Sequence, residues 1–353
     1  MDESQRAFLD DLLTTPSPAG YEAAGQRVWV DHVAAFADEV TTDAYGNAVA
    51  VHEGSGDGPA IAFTGHADEI GFVVRLIDDD GYLRIGSVGG ADRTVSKGQH
   101  VTVHADDPVP GVVGQTPIHL RDPEADEIED VEAQYVDVGA SDREEAESLV
   151  EVGDPVTFST TVQDLHGSRL SARGTDNRIG TWSAAEGLRL ACEADAAATV
   201  YAVSTVQEEL GTNGARMVGF DREFDAVVTV DVTNATDTPG IPEKRRGPVE
   251  LGGGPVVMRG STNHPALVDL ARTAASEADI DVQLEATGTR TWTDADAFST
   301  SRGGVPTLSV GLPNRYMHTP VEVIDTRDLE ALASLLGAIA ERAADAGPFA
   351  VDV

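Results

Sequence analysis

The chain has 353 residues, of which 41% are hydrophobic, so it can bury a sizeable core and is not a disordered protein. It carries 61 acidic against 24 basic side chains, a formal net charge of −37, which excludes nucleic acid and anionic membrane surfaces as partners. Lys97 and Lys244 are the only lysines. Such an acidic, lysine-poor composition predicts a salt-adapted protein, because salt screens the self-repulsion; an ordinary acidic protein is the alternative.

The single cysteine and the N-terminus bear on the cellular location. Cys192 excludes an internal disulfide, and its place in the apolar-periodic stretch 182–194 predicts a small core residue rather than a catalytic thiol. The first residues are acidic where a signal peptide needs basic ones, and no apolar run reaches the length of a membrane span. We therefore expect a soluble, cytoplasmic protein without membrane partners.

The first half of the chain changes character near residue 70. Apolar spacing predicts two helices within residues 1–36, followed by strands at Asn47–His52 and Ala60–Thr64. From 70 to 166 the helical period gives way to short β-rich runs between glycines and Asp-rich turns, which predicts a small barrel or sandwich. Within it, Arg121–Gln134 carries seven acidic residues and is expected to be a mobile loop.

From residue 167 onward, strands alternate with helices. Near-continuous apolar runs at Val200–Val206, Ala226–Val232 and Thr307–Leu312 predict strands covered on both faces, and Pro265–Ala278 has the stripe of an amphipathic helix. The last helix is expected to be capped by Asp325 or Thr326. The simplest architecture is an α/β domain of residues 1–69 and 167–353, interrupted by an inserted β domain of residues 70–166.

Polar residues directly follow five predicted strands of the α/β domain, which are Ala60–Thr64, Ser168–Arg173, Val200–Val206, Ala226–Val230 and Thr307–Leu312. They occur in the segments Gly65–Glu69, Gly174–Arg178, Gln207–Gly211, Asp231–Thr233 and Asn314–His318. Because ligands gather beyond the carboxyl ends of strands in an open α/β sheet, these segments are expected to converge. They contain imidazoles and carboxylates but no thiolate, a set that suits zinc, cobalt or manganese at a catalytic site.

Two pairs within these segments suggest specific roles. Asp68 can accept the ring N–H of His66 and orient it, although a packing role for the two residues is the simpler interpretation of this pair alone. The adjacent Glu208 and Glu209 are costly at the end of a buried strand unless a cation pairs with them. Because neighbours in a strand point in different directions, one can bind metal while the other acts as a general base; an exposed acid pair is the alternative.

An ordered series of motifs along nearly the whole chain resembles the tetrahedral (TET) aminopeptidases, which are co-catalytic di-metal exopeptidases. The residues that carry the resemblance are Ser17–Glu22, Gly65–Gly71, Asp80–Gly81, Val88–Gly90, Tyr135–Ala140, Asp176–Arg178, Gln207–Gly211, Asp231–Thr233, Asp237–Gly240 and Arg315–Pro320. With the composition, the resemblance suggests a halophilic archaeal source.

The resemblance implies a mixed-sheet catalytic domain, an inserted PDZ-like β-barrel that serves dimerisation, and a homo-dodecamer built from dimers. It implies two divalent ions per subunit, with zinc favoured and cobalt or manganese as alternatives. The implied ligands are His66, Asp176 and Asp231 for one ion and Asp176, Glu209 and His318 for the other, so that Asp176 bridges. Glu208 is implied as the general base and Asp68 as the residue that orients His66. Asn177 departs from the aspartate that the family often has there.

We therefore expect an aminopeptidase that removes N-terminal residues from oligopeptides through water activated by two metal ions. A related di-metal deacylase or carboxypeptidase is the alternative within enzymes, although no basic clamp for a substrate carboxylate is evident. A third hypothesis is a metal-stabilised scaffold without activity. A glycan hydrolase would need two carboxylates free of metal.

The sequence says less about side-chain preference. Residues 287–301 and 252–254 are expected to line the S1 pocket. Within them Arg290 would favour acidic substrate side chains, and Trp292 or Phe298 bulky apolar ones. A broad, leucine-like preference is the expectation.

Overall fold

The computed structural model describes residues 1–55, 58–121, 128–241 and 247–351. It contains an eight-stranded mixed sheet flanked by helices, a closed six-stranded barrel and a separate three-stranded sheet. This confirms the predicted fold class, a mixed-sheet α/β domain with an inserted β-barrel. None of the helices in the described ranges combines the length and the apolar character that a membrane crossing requires.

The helices are α1 (Glu3–Thr14), α2 (Ala23–Val33), α3 (Arg143–Glu147), α4 (Thr175–Glu193), α5 (Asn213–Asp221), α6 (Pro265–Glu277), α7 (Ala295–Phe298) and α8 (Thr326–Ala346). The large sheet and the small sheet contain β1 (Glu39–Thr42), β2 (Ala48–His52), β3 (Ala60–His66), β10 (Gln163–Asp164), β11 (Arg169–Ala172), β12 (Thr199–Thr205), β13 (Ala226–Asn234), β14 (Val256–Arg259), β15 (Gln283–Ala286), β16 (Thr307–Asn314) and β17 (Glu322–Asp325). The barrel strands are β4 (Gly71–Ile77), β5 (Leu83–Val88), β6 (His100–His104), β7 (Pro108–Val113), β8 (Tyr135–Asp137) and β9 (Pro155–Phe158).

The centre of the large sheet is parallel, which brings several strand ends to one edge. Its order is β1-β2-β12-β3-β13-β16-β14-β15, and β12, β3, β13 and β16 run parallel to one another. Both faces of these four strands are covered, which explains their continuous apolar runs. Their carboxyl ends therefore open on the same side of the sheet.

Helix α4 lies directly against the central strands and closes this edge from one face. Gly65 allows the close approach, because a Cβ atom at that position would lie 2.3 Å from the backbone of Gly180. The side chain of Asn177 donates to the carbonyl of Val230 at 2.8 Å and ties the start of the helix to β13. The first residues of α4 are thereby fixed beside the ends of β3 and β13.

The barrel closes in the order β4-β5-β8-β7-β6-β9 and has its own apolar core, which includes Phe72, Ile85 and Phe158. The expectation of a mobile loop over Arg121–Gln134 is only partly testable, since residues 122–127 lie outside the described residues. It is wrong for the end of the segment. Val131–Ala133 forms a short 3-10 helix whose Val131 is buried in the barrel core, and Gln134 is buried beside Ser96.

The sequence placed one strand in the wrong sheet. The segment 168–173 was expected in the main sheet, but β11 pairs with β10 and β17 in the three-stranded sheet. Two strands are longer than predicted, since β3 extends to His66 and β16 extends to Asn314.

Cys192 packs against the main core but is half-buried, and burial raises the pKa of its thiol to about 11, which agrees with an inert side chain. Asp325 caps α8 as expected, accepting from the backbone N–H of Arg327.

Candidate metal centre

Five predicted ligand residues meet at the open edge of the sheet. His66 is the last residue of β3, and its Nε2 lies 3.2 Å from Oδ1 of Asp176 and 3.8 Å from Oδ1 of Asp231. The three side chains offer ligand atoms within 4.8 Å of one another, and all three are buried. They form the first cluster of the site, to which β3, β13 and the start of α4 each contribute one side chain.

The second cluster shares Asp176 with the first. Nε2 of His318 lies 3.2 Å from Oδ2 of Asp176 and 3.6 Å from Oε1 of Glu209. These three side chains again offer ligand atoms within 4.8 Å of one another. Asp176 therefore presents one carboxylate oxygen to each histidine and lies between the two clusters.

Glu208 lies beside the first cluster, and with His66 and Glu209 it forms a third group whose ligand atoms lie within 4.8 Å of one another. Its Oε2 lies 3.9 Å from Nε2 of His66. Among the described residues, its carboxylate has no hydrogen-bond donor. A carboxylate in this position can exchange a proton with a small molecule in the site.

Asp68 does more than the sequence suggested. Nδ1 of His66 lies 3.2 Å from the backbone carbonyl of Asp68 and 3.3 Å from its Oδ1. The same carboxylate also accepts the backbone N–H groups of Glu208 and Glu209, each at 3.0 Å. Asp68 thus fixes one histidine and the turn that carries both glutamates.

Glu322 performs a similar task for the second cluster, and the sequence gave no expectation for it. Its Oε1 accepts the backbone N–H of His318 at 2.9 Å, and its Oε2 accepts the N–H of Asp176 at 3.0 Å and the hydroxyl of Thr175 at 2.6 Å. The sequence gives one signal for this role, namely that Glu322 follows His318 by four residues. It does not show that the chain reverses between β16 and β17 and so brings Glu322 back toward Asp176.

The carboxylates of the site repel one another and are buried, and their pKa values reflect this. Burial, together with the charges of neighbouring carboxylates, raises the pKa of Glu208 to about 10 and that of Glu209 to about 7. Burial likewise raises the pKa of Asp231 well above its usual range. Hydrogen bonding to Asp176 raises the pKa of His318 to about 10, while the two histidines hold the pKa of Asp176 low.

Divalent cations fit this set of donors. Carboxylate and imidazole ligands suit zinc, cobalt and manganese, and two positive ions would compensate the excess negative charge that raises these pKa values. Each cluster supplies three protein ligands, which leaves positions open for water and substrate, as in catalytic rather than structural sites. The residues present therefore match a pair of metal ions.

Glu69, Arg173 and Arg178 form a buried ion triad that supports the residues of the site. Oε1 of Glu69 accepts from Nη2 of Arg178 at 2.7 Å and from the backbone N–H of Ser17 at 3.0 Å, and its Oε2 accepts from Arg173. Arg178 also donates to the carbonyl of Ala67 at 3.1 Å. The triad therefore holds the turn between His66 and Glu69 against the start of α4.

Of the aromatic residues expected to line the S1 pocket, one is buried and the other is exposed. Phe298 is fully buried and packs in a core cluster with Phe224, so the idea that it contacts substrate is wrong. Trp292 is 79% exposed, and the guanidinium carbon of Arg290 lies 5.5 Å from the centre of its ring. Asn177 is buried and bonded to backbone groups, which agrees with its not being a ligand.

Asp294 is another site residue that sequence reasoning missed. Its Oδ2 accepts from the hydroxyl of Thr205 at 2.6 Å, while its buried Oδ1 has no partner among the described residues. Burial raises the pKa of Asp294 to about 6. No spacing in the sequence connects it to the other acids, because it enters from the segment before α7.

Known proteins resemble the chain over nearly its full length. The family model described as M42 glutamyl aminopeptidase matches residues 46–335. A lysyl aminopeptidase of Pyrococcus furiosus is 35% identical, covering 95% of this chain and 96% of its own length. Among solved structures, an aminopeptidase of the archaeon Desulfurococcus kamchatkensis is 30% identical with a TM-score of 0.89, covering 96% of each chain. The TET1 peptidase of Pyrococcus horikoshii, described as able to assemble into a tetrahedron or a large octahedral shell, is 29% identical with a TM-score of 0.85, covering 95% of this chain and 99% of its own.

Proposed function

The chain belongs to the M42 family of aminopeptidases, and we propose that it removes N-terminal residues from oligopeptides with two divalent metal ions per subunit. The observation that carries the two-ion site is the position of Asp176, whose two carboxylate oxygens face His66 and His318 at 3.2 Å each. His66, Asp176 and Asp231 would hold one ion, and Asp176, Glu209 and His318 the other. Zinc is favoured, with cobalt or manganese as alternatives.

Such ions, when bound, supply Lewis-acid polarisation of the scissile carbonyl and activation of a water molecule. Glu208 would accept a proton from that water and pass it to the departing amine, because its carboxylate faces the first cluster without a donor of its own. Cations nearby would lower the pKa of Glu208 from about 10 toward the range in which it can act as a base. Asp68 would keep Glu208 in place through the backbone N–H that it accepts.

Replacement of Glu208 tests this assignment. Glu208→Gln keeps the size of the side chain but removes the base, so metal content should stay unchanged while turnover of an aminoacyl anilide falls by about 10²–10⁴-fold. Glu341→Gln, on the exposed face of α8, is the matched control and should retain full activity. Turnover that survives in Glu208→Gln with both ions bound would refute the proposed role.

The same anilide assay measures which N-terminal residue the enzyme prefers. We propose a broad, leucine-like preference, while the family description names glutamyl and the Pyrococcus furiosus relative lysyl substrates. A panel of leucyl, lysyl and glutamyl anilides, with N-acetyl-leucine as a deacylase substrate, compares these possibilities. A single strong preference for an acidic or a basic residue would overturn the leucine-like proposal, and hydrolysis of the acetylated compound alone would favour the deacylase.

The architecture supports a proposal for assembly. Residues 1–69 and 167–353 would form the catalytic domain, and residues 70–166, which contain the barrel, a dimerisation domain. Solved structures with 29% identity include a TET1 dodecamer, so we propose a homo-dodecamer built from dimers. Sedimentation of the purified protein in concentrated salt would test this, since a stable monomer or dimer under those conditions would contradict it.

The composition supports salt adaptation. The formal net charge is −37, with 61 acidic against 24 basic side chains. Repulsion between these negative charges destabilises the folded state, and dissolved salt screens that repulsion. We therefore propose a cytoplasmic protein of a halophilic archaeon, active and assembled only in concentrated salt.

A further inference from the structure

His318 is the least protected of the proposed metal ligands. Its side chain is 33% exposed, whereas those of His66, Asp176, Asp231 and Glu209 are between 2% and 8% exposed. It lies in the connection between β16 and β17 rather than in a strand, and its backbone is left-handed with a φ of 64°. The ring nitrogens of His318 contact residues outside this connection, Asp176 and Gly90.

Two contacts of His318 come from the segment that follows the barrel strand β5. Nδ1 of His318 lies 2.9 Å from the carbonyl oxygen of Gly90, and the carbonyl of His318 accepts the backbone N–H of Asp92 at 3.3 Å. Because a carbonyl oxygen can only accept, Nδ1 must carry the proton in this hydrogen bond. Nε2 is then the ring atom that faces Asp176 and Glu209, at 3.2 and 3.6 Å.

The glycines that follow β5 leave room for the ligands. A Cβ atom at Gly90 would lie 2.6 Å from Nδ1 and 2.8 Å from Cε1 of His318, closer than real Cβ atoms approach. A Cβ atom at Gly89 would lie 2.8 Å from Oε2 of Glu209. The backbone that follows β5 thus packs directly on two of the three side chains of the second cluster.

We propose that the segment Gly89–Asp92 is a positioning element of the metal centre, through which the inserted barrel sets the affinity of the second cluster for its ion. The inference rests on the proposed metal site. The Gly90 carbonyl orients the His318 ring, as the partners of metal-binding histidines do elsewhere, and losing such a partner typically costs about 10–100-fold in metal affinity. Coupling is reciprocal, so an ion bound by His318 also holds this segment against the catalytic domain.

The glycines provide a matched pair of variants. Gly90→Ala places the methyl group against His318, whereas Gly303→Ala places it in open space, and both positions are exposed with ordinary backbone angles. Zinc per chain is measured by mass spectrometry of metals after dialysis against graded chelator in high salt. We expect two tightly held ions in the unmodified protein and in Gly303→Ala. In Gly90→Ala one ion should be lost at about 10–100-fold lower chelator strength.

The outcomes separate this inference from the proposed function. Two equally tight ions in Gly90→Ala would overturn the role of the segment Gly89–Asp92 and leave the metal site intact. An unmodified protein that holds none of zinc, cobalt and manganese tightly would overturn the proposed function itself. Hydrogen exchange of the unmodified protein gives a second test that needs no variant. Zinc should slow exchange in a peptide that covers Gly89–Asp92, and an unchanged rate in protein that binds two ions would contradict the inference.

Discussion

Replacement of Glu69 by glutamine tests whether the buried ion triad of Glu69, Arg173 and Arg178 stabilises the folded protein. Glu69, Arg173 and Arg178 are all buried, and the carboxylate accepts from both guanidinium groups. In Glu69→Gln, the neutral amide removes the carboxylate that pairs with both buried guanidinium groups. Its NH₂ group then faces a guanidinium N–H, and neither of these groups can accept a hydrogen bond. Breaking a buried ion pair in this way costs about 3–5 kcal/mol.

The pKa of Glu69 gives an independent value for the contribution of its carboxylate to the free energy of unfolding. Arg173 and Arg178 overcome the effect of burial and lower this pKa from 4.5 to about 2. At about 1.4 kcal/mol per pKa unit, the ionised carboxylate contributes roughly 3 kcal/mol to stability. Because the folded-state pKa is depressed, this contribution is fully present above pH 4.5 and is lost as the pH falls toward 2.

Urea unfolding in high salt, followed by the fluorescence of the buried Trp29 and Trp182, measures the effect. At pH 7 we expect the free energy of unfolding of Glu69→Gln to fall by about 3–5 kcal/mol, while the exposed control Glu341→Gln stays within about 0.5 kcal/mol of the unmodified protein. The difference between Glu69→Gln and the unmodified protein should shrink below pH 4.5. A loss smaller than about 1 kcal/mol, or a difference independent of pH, would refute the reasoning.

Three further predictions concern the metal centre and salt. Glu322→Gln replaces one of two oxygens that accept N–H groups from Asp176 and His318, so zinc affinity should fall by about 10–100-fold in chelator titrations; unchanged affinity would argue for a purely structural residue. Removing metal from the unmodified protein with chelator should lower the melting temperature measured by calorimetry, because ligands that bind only the folded state stabilise it, and an identical temperature would contradict tight binding. Dilution from concentrated salt to about 0.1 M, where the Debye length grows to roughly 10 Å, should lower melting temperature and activity together, whereas full stability in dilute buffer would contradict salt adaptation.

Local sequence patterns were sufficient to predict much of the fold and the convergence of the segments that carry the proposed ligands. Continuous apolar runs identified β12, β13 and β16, and the parallel arrangement of these strands brings Asp231 and the turn after β12 to one edge. Asp176 was expected at the end of a strand of the same sheet, but β11 belongs to another sheet. Asp176 nevertheless reaches the site because Gly65 lets α4 approach β3 closely.

The supporting residues could not be predicted, because their roles depend on long-range contacts. Glu322 binds the backbone of Asp176, which lies 146 positions away in the chain, and Gly90 accepts a hydrogen bond from His318, which is 228 positions away. An acidic residue in a chain with 61 of them gives no local signal that it is buried. Phe298 shows the converse case, since an aromatic residue expected in a pocket is fully enclosed in a core cluster.

The occupancy of the two clusters is the central claim, and anomalous diffraction from zinc-loaded crystals measures it directly. We expect two peaks per subunit about 3.5–4 Å apart, with a carboxylate oxygen of Asp176 on each of them. His66 and Asp231 should complete the first set of ligands, and Glu209 and His318 the second. A single peak, or two peaks of which one does not touch Asp176, would contradict the account.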